Sequence, residues 1–158
     1  MLGRNDRVRR TRKGDFALLL PDDERELLAN VLPQLQQLLA GDLADPAIRR
    51  LFPTAYNDDP ERDREYQQLV RDELADRHRA AIDTVLGTLE AERISEEQLT
   101  AWMHAINQLR LVLGTRLDVG EDDSPVPDPD DPDAALVVLY GYLGYLLESI
   151  VEALSGAI

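Results

Sequence analysis

The stretch Ala134–Leu154, AALVVLYGYLGYLLESIVEAL, decides the fold class. It carries no charge for 14 residues, from Ala134 to Leu147, before Glu148 and Glu152 interrupt it. A bilayer span needs about 20 apolar residues in a row, so the stretch falls short of one and reads as a central core helix. Gly141 and Gly144, three apart, would let another backbone approach closely, and Tyr140, Tyr142 and Tyr145 share the element. These five residues are the expected core or homodimer face.

Upstream the apolar period is also helical. In residues 22–41, DDERELLANVLPQLQQLLAG, Leu27, Leu28, Val31, Leu32, Leu35, Leu38 and Leu39 fall on one face. Asp23 and Glu26 form a candidate capping box, Gly41 is placed to close the helix, and Pro33 predicts a kink or break inside it. DPAIRRLF, 45–52, is a short helix with Asp45 as cap and Pro46 at the first helical position. Asp59-Pro60 repeats the device, opening one bent helix or two that reach about Glu92. Ser95 and Gln98 make a second capping box, followed by Leu99, Trp102, Met103, Ile106, Leu109 and Leu113. DFALLL, 15–20, is too short for a helix and reads as an extended segment lying on the core. The expected fold is all-α: a single-domain bundle of about five to six helices, with that extended segment near its start and an acidic, proline-rich loop before the last helix.

Composition narrows the partners. The 158 residues fit one domain, 15–158, preceded by a basic, flexible tail over 1–14. Residues 1–13 hold six cations against Asp6, a net of +5, which from a total of −14 leaves −19 for the remainder. Such a body repels phosphate backbones, so direct DNA binding is disfavoured except through the tail. Residues 1–15 are basic and lack the apolar run of a signal peptide, so a cytoplasmic protein, off the membrane, is expected. With no cysteine, thiolate nucleophiles, cysteine-bound metals and thiol redox switches are excluded within these residues. Residues 118–133 contain eight acids and four prolines, the composition of a mobile surface loop.

Two runs are unusual. RLFPTAYNDDPERDREY, 50–66, pairs Asp58 with Asp59, which could ligate a hard cation or share a proton, but Asp59 before Pro60 is better explained as a helix cap. In NQLRLVLGTRL, 107–117, Asn107 and Arg110 share a flank and Arg116 follows near the helix end. Arginines in an apolar helix demand carboxylates. The expectation is one structural network of Arg50, Asp58, Asp59, Glu65, Asn107, Arg110 and Arg116. His78 and His104 belong to no motif, and Asp128, Asp130, Asp131 and Asp133 lack the glycine and terminal glutamate of a calcium loop. No catalytic, cofactor or metal site is therefore expected, and the chain does not read as an enzyme.

The runs 50–66, AWMHAINQLRLVLGTRL (101–117) and YGYLGYLLESIVEAL (140–154) together resemble an actinobacterial all-helical family. It is catalogued as a domain of unknown function, and its members carry the name actinomycete oxidative stress regulator. The resemblance covers about residues 15–155. Its usual pattern has arginine at Asn57, aspartate at Gln108, tryptophan at Tyr142 and glutamine at Leu147. The resemblance implies a cytoplasmic transcription regulator tied to oxidative-stress and sulfur-metabolism genes, working through a sigma factor or RNA polymerase rather than a DNA-reading helix. Redox sensing in the family is attributed to cysteines, which are lacking here. Rival readings are an adaptor in protein turnover or sulfur transfer, and a metal-dependent hydrolase using Asp58 and Asp59.

Overall fold

The computed structural model describes residues 6–42, 45–52, 58–119, 126 and 128–156. In chain order they form β1 (Val8–Arg10), β2 (Phe16–Leu18), α1 (Asp22–Ala40), a 3-10 helix (Pro46–Leu51), α2 (Pro60–Thr88), β3 (Arg93–Ile94), α3 (Glu96–Arg116) and α4 (Ala134–Leu154). The mostly helical, single-domain expectation holds, with a small antiparallel sheet ordered β1-β2-β3 added to it.

Three helix starts follow the expected chemistry. Asp45 accepts from the Ala47 N–H at 2.9 Å, Asp59 accepts from the Arg62 N–H at 3.1 Å, and Ser95 with Gln98 closes a full capping box. The fourth does not. Pro21 is the N-cap of α1 without a side-chain bond, and the helix runs unbroken through Pro33. The segment from Asp59 onward is one 29-residue helix.

Of the expected flexible tail over 1–14, residues 1–5 lie outside the described residues, and the sheet corrects the reading of the rest, since Val8 pairs with Leu18, Arg9 with Ala17 and Arg10 with Phe16. Charge dominates this segment's composition, but Val8 alternates with Arg7 and Arg9, and Gly14 at φ 91° makes the turn that folds the strand back. Val8, Phe16, Leu18 and Ile94 are buried together under the helices.

The centre of the molecule is α3, not α4. It packs against α2, α4 and the 3-10 helix, and its Trp102 is fully buried with Nε1 donating to Thr88 Oγ1 at 2.8 Å. Burial of such a side chain contributes about 3 kcal/mol. By length and composition α4 is apolar enough to cross a membrane, its two glutamates notwithstanding. In the fold it packs on α3 and β1 with Val137, Tyr140, Leu143, Leu146 and Ile150 buried, while Val138 and Val151 stay exposed.

Candidate functional site

The expected arginine network begins at the end of α3. Asp118, at φ 56°, turns the chain so that its N–H reaches Thr115 O at 3.2 Å and the Val119 N–H reaches Gly114 O at 2.9 Å. This paired closure turns the Val119 carbonyl toward the 3-10 helix, and Arg50 Nη2 donates to it at 2.7 Å. Arg50 Nη1 presses on the α3 backbone: a β-carbon on Gly114 would lie 2.8 Å from it and 3.2 Å from Tyr140 Cε1. Nη1 is buried with no hydrogen-bond partner among the described residues. Arg110 lies over the Tyr140 ring, 4.7 Å from its centre, beside Gly144.

The two unusual runs thus meet at Arg50 and Gly114, where Arg50 takes a backbone carbonyl rather than a carboxylate. Asp59 is spent on its cap; Asp58, Glu65, Asn107 and Arg116 are exposed, and no described bond joins Arg50 or Arg116 to Asp58, Asp59 or Glu65. The acids failed as partners because they stand before and on the first turns of α2, where helix-start chemistry and water claim them. Residues 53–57 and the acids at 121–123 lie outside the described residues. Among the described residues no three potential ligands converge on a metal-sized site.

A second charged cluster was missed from the sequence. Arg7 grips Glu24 with two parallel bonds, Nε to Oε1 and Nη2 to Oε2, both 2.8 Å, and Tyr142 donates to the same Oε1 at 2.7 Å. The Arg7 N–H donates to Ser149 Oγ at 3.2 Å and its guanidinium lies 5.6 Å from the Tyr145 ring centre. Burial alone would raise the Glu24 pKa, but the bonds from Arg7 and Tyr142 outweigh it and hold it below the usual 4.5. Burial, then the bond to Glu24, pushes the Tyr142 hydroxyl well up. The alternation Arg7-Val8-Arg9 was the available signal. Of the expected aromatic and glycine face, Tyr140, Tyr142 and Gly144 therefore face inward contacts, and a β-carbon at Gly141 would meet nothing.

A third feature is a groove of about 720 Å³ between α2 and α3, lined by Arg77, Ala80, Thr84, Gly87, Ala101 and His104 among others. Its threonines are committed to their own helices: Thr84 donates to Ala80 O at 3.1 Å, Thr88 to Thr84 O at 2.7 Å and Thr100 to Glu96 O at 3.0 Å. Beside them, Arg77, Glu97 and His104 leave charged and ring groups on the same lining. Next to Arg77 on α2, His78 Nε2 lies 3.2 Å from Leu51 O and edge-on to Phe52, and burial lowers its pKa below 6.5.

The profile of a domain of unknown function, DUF2017, matches residues 5–154. The oxidative stress regulator AosR of Mycobacterium tuberculosis (strain ATCC 25618 / H37Rv) is 30% identical over 130 residues, which is 72% of this chain and 60% of that protein. A putative oxidative stress regulator AosR of Mycobacterium leprae (strain TN) is also 30% identical over 130 residues, covering 70% of this chain and 58% of its own. The match thus spans about three fifths of these relatives. No solved structure matches the chain.

Proposed function

The chain belongs to the DUF2017 family, and on that premise we propose that it is a cytoplasmic regulatory protein acting on transcription through contact with another protein, without catalysis of its own. The observation that carries the reading is its similarity to relatives named oxidative stress regulators. Charge supports contact over DNA reading: the total is −14, and two cations of the basic segment are already engaged, Arg7 with Glu24 and Arg10 with the carbonyls of Ala153 and Leu154. The groove adds a concave surface whose hydroxyls are occupied, better suited to packing than to chemistry. With no cysteine in the chain, any response to oxidants passes through the partner or through other groups.

A sigma factor or RNA polymerase is the first expected partner. Affinity purification of the tagged protein from native cytoplasm, at low and moderate salt with mass spectrometry of the eluate, tests this. Recovery of polymerase or a sigma factor supports it. Recovery of a protease component or sulfur carrier alone would replace it with the adaptor reading.

A further inference from the structure

The outward face of the three-stranded sheet is cationic, on a chain whose total charge is −14. Its register sets Arg9 opposite Ala17 and Ala17 opposite Arg93, so the two arginines stand in one row across the strands. Val8, Phe16, Leu18 and Ile94 beside that row are buried, and strand alternation turns the row itself to the other face. Both arginines are exposed, about 10 Å apart at the usual strand spacing, with only Ala17 between them. Arg12 and Lys13, at the tip of the hairpin, are exposed too. No hydrogen bond or ion pair among the described residues engages any of these four side chains. Of the neighbouring acids, Asp15 accepts from Thr11 Oγ1, and Glu92 is aligned with Leu18 and shares its face.

The sheet also has one open edge. β1 lies against α4, where the Arg7 N–H is bonded to Ser149 Oγ, whereas nothing pairs with β3 on its far side. The Leu18 N–H donates to Glu92 O at 2.9 Å, which makes those two residues a hydrogen-bonded pair. In an antiparallel ladder the next pair, Ala17 and Arg93, is then a non-bonded one, and the Arg93 N–H and C=O point away from β2. Among the described residues neither group has a hydrogen-bond partner.

We propose that an extended, acidic segment of a partner protein adds to β3 as a fourth strand. Its main chain bonds the Arg93 N–H and C=O, and its carboxylates face the Arg93 guanidinium directly and Arg9 at longer range. Arg12 and Lys13 extend the same attractive field. The open edge favours a polypeptide over a nucleic acid, since a strand brings both the carbonyl and the amide that the edge lacks. Charge favours it as well: a short acidic segment meets the cationic face alone, whereas a long polyanion also meets the acidic remainder of the chain. The inference rests on the reading of the protein as one that acts by contact, for which it supplies a surface and the chemistry of the partner.

The test is fluorescence anisotropy of the full chain with a labelled peptide that alternates glutamate and valine. Two controls accompany it, the same peptide with glutamine for glutamate and an oligouridine of equal charge. The acidic peptide should bind at least about tenfold more tightly than either control. Arg93→Glu should weaken it by about tenfold and Arg9→Glu by about threefold. Arg64→Glu makes the same charge change at the far end of α2 and should leave binding unaltered. Arg12→Glu with Lys13→Glu, outside the paired strands, should also weaken binding, which separates lost charge from a misfolded sheet. On binding, the Arg93 amide should gain protection from hydrogen exchange. No binding of the acidic peptide, an equal loss with Arg64→Glu, or binding that leaves the Arg93 amide unprotected overturns the proposal. Oligouridine binding that the same reversals abolish also overturns it, in favour of a nucleic-acid face. Failure here leaves polymerase contact standing, and a purification that recovers no polymerase leaves peptide binding standing.

Discussion

Arg25 and Arg50 are both partly buried arginines that bind carbonyls, and they differ in how completely they are satisfied. Arg25 on α1 spreads its guanidinium over the carbonyls of Leu20 at 2.9 Å, Ala91 at 3.2 Å, Leu18 at 3.3 Å and Leu89, tying α1 to β2 and to the end of α2. Arg50 has one described acceptor, Val119 O, and a second nitrogen pressed against Gly114. The first is a complete clamp among elements that enclose the core. The second joins the 3-10 helix to the end of α3 through a single carbonyl. Full satisfaction stabilises a junction; partial satisfaction leaves a site whose position depends on what it touches.

The sharpest way to break this contrast is to neutralise both. Arg25→Gln should cost about 3 kcal/mol in urea unfolding, because four carbonyls lose a charged donor, whereas Arg50→Gln should cost only about 1 kcal/mol. Equal losses would erase the distinction. Next in size, Glu24→Gln should cost about 1–2 kcal/mol, since Glu24 and Arg7 each expose only 16% of their side chains and the bidentate grip loses its charge.

That carboxylate also sets an acid limit. Its folded pKa is below 4.5, so in acid the unfolded chain binds more protons, and the stability it contributes is present above pH 4.5 and lost as pH falls further. A Glu24→Gln variant with an unchanged acid profile would refute this. His78 acts in the same direction at higher pH: its folded pKa is lowered from 6.5, so stability declines as pH drops below 6.5. Melting temperatures at pH 7.5 and 5.5 should converge in His78→Gln; an undiminished difference would move the effect elsewhere.

Two glycines give the smallest effects, with opposite signs. Gly114→Ala should destabilise by about 1 kcal/mol, because displacing Arg50 and Tyr140 outweighs the gain in helix propensity. Gly141→Ala, with nothing near its β-position, should stabilise by about 0.5–1 kcal/mol in thermal melts. A loss at Gly141 would instead return the contact surface to α4.

What the sequence disclosed depended on how local the physics was. The caps at Asp45, Asp59 and Ser95 are decided within three residues, and each formed. The sheet was hidden because β1 and β3 have three and two residues, too few for a period to emerge, and β3 pairs with β2 across more than 70 positions. The arginine partners were misassigned for a related reason. Carboxylates were sought for Arg50 where a helix-end carbonyl, produced by Asp118 in a left-handed conformation, was the acceptor. Glu24 stands between Asp23 and Glu26 of the expected capping box with nothing local to mark it, because its partners lie 17 residues before it and 118 after.

The bond from the Arg7 N–H to Ser149 Oγ joins positions 142 apart. On a ribosome adding about 5–20 residues per second, β1 therefore leaves the exit tunnel roughly seven to thirty seconds before the helix it docks on. In that interval the hairpin of β1 and β2 has its own partners in reach, but Tyr142, Tyr145 and Ser149 do not yet exist. Of the described strands the first made is among the last to find its place, and β1 and α4 close the fold only once both have been synthesised.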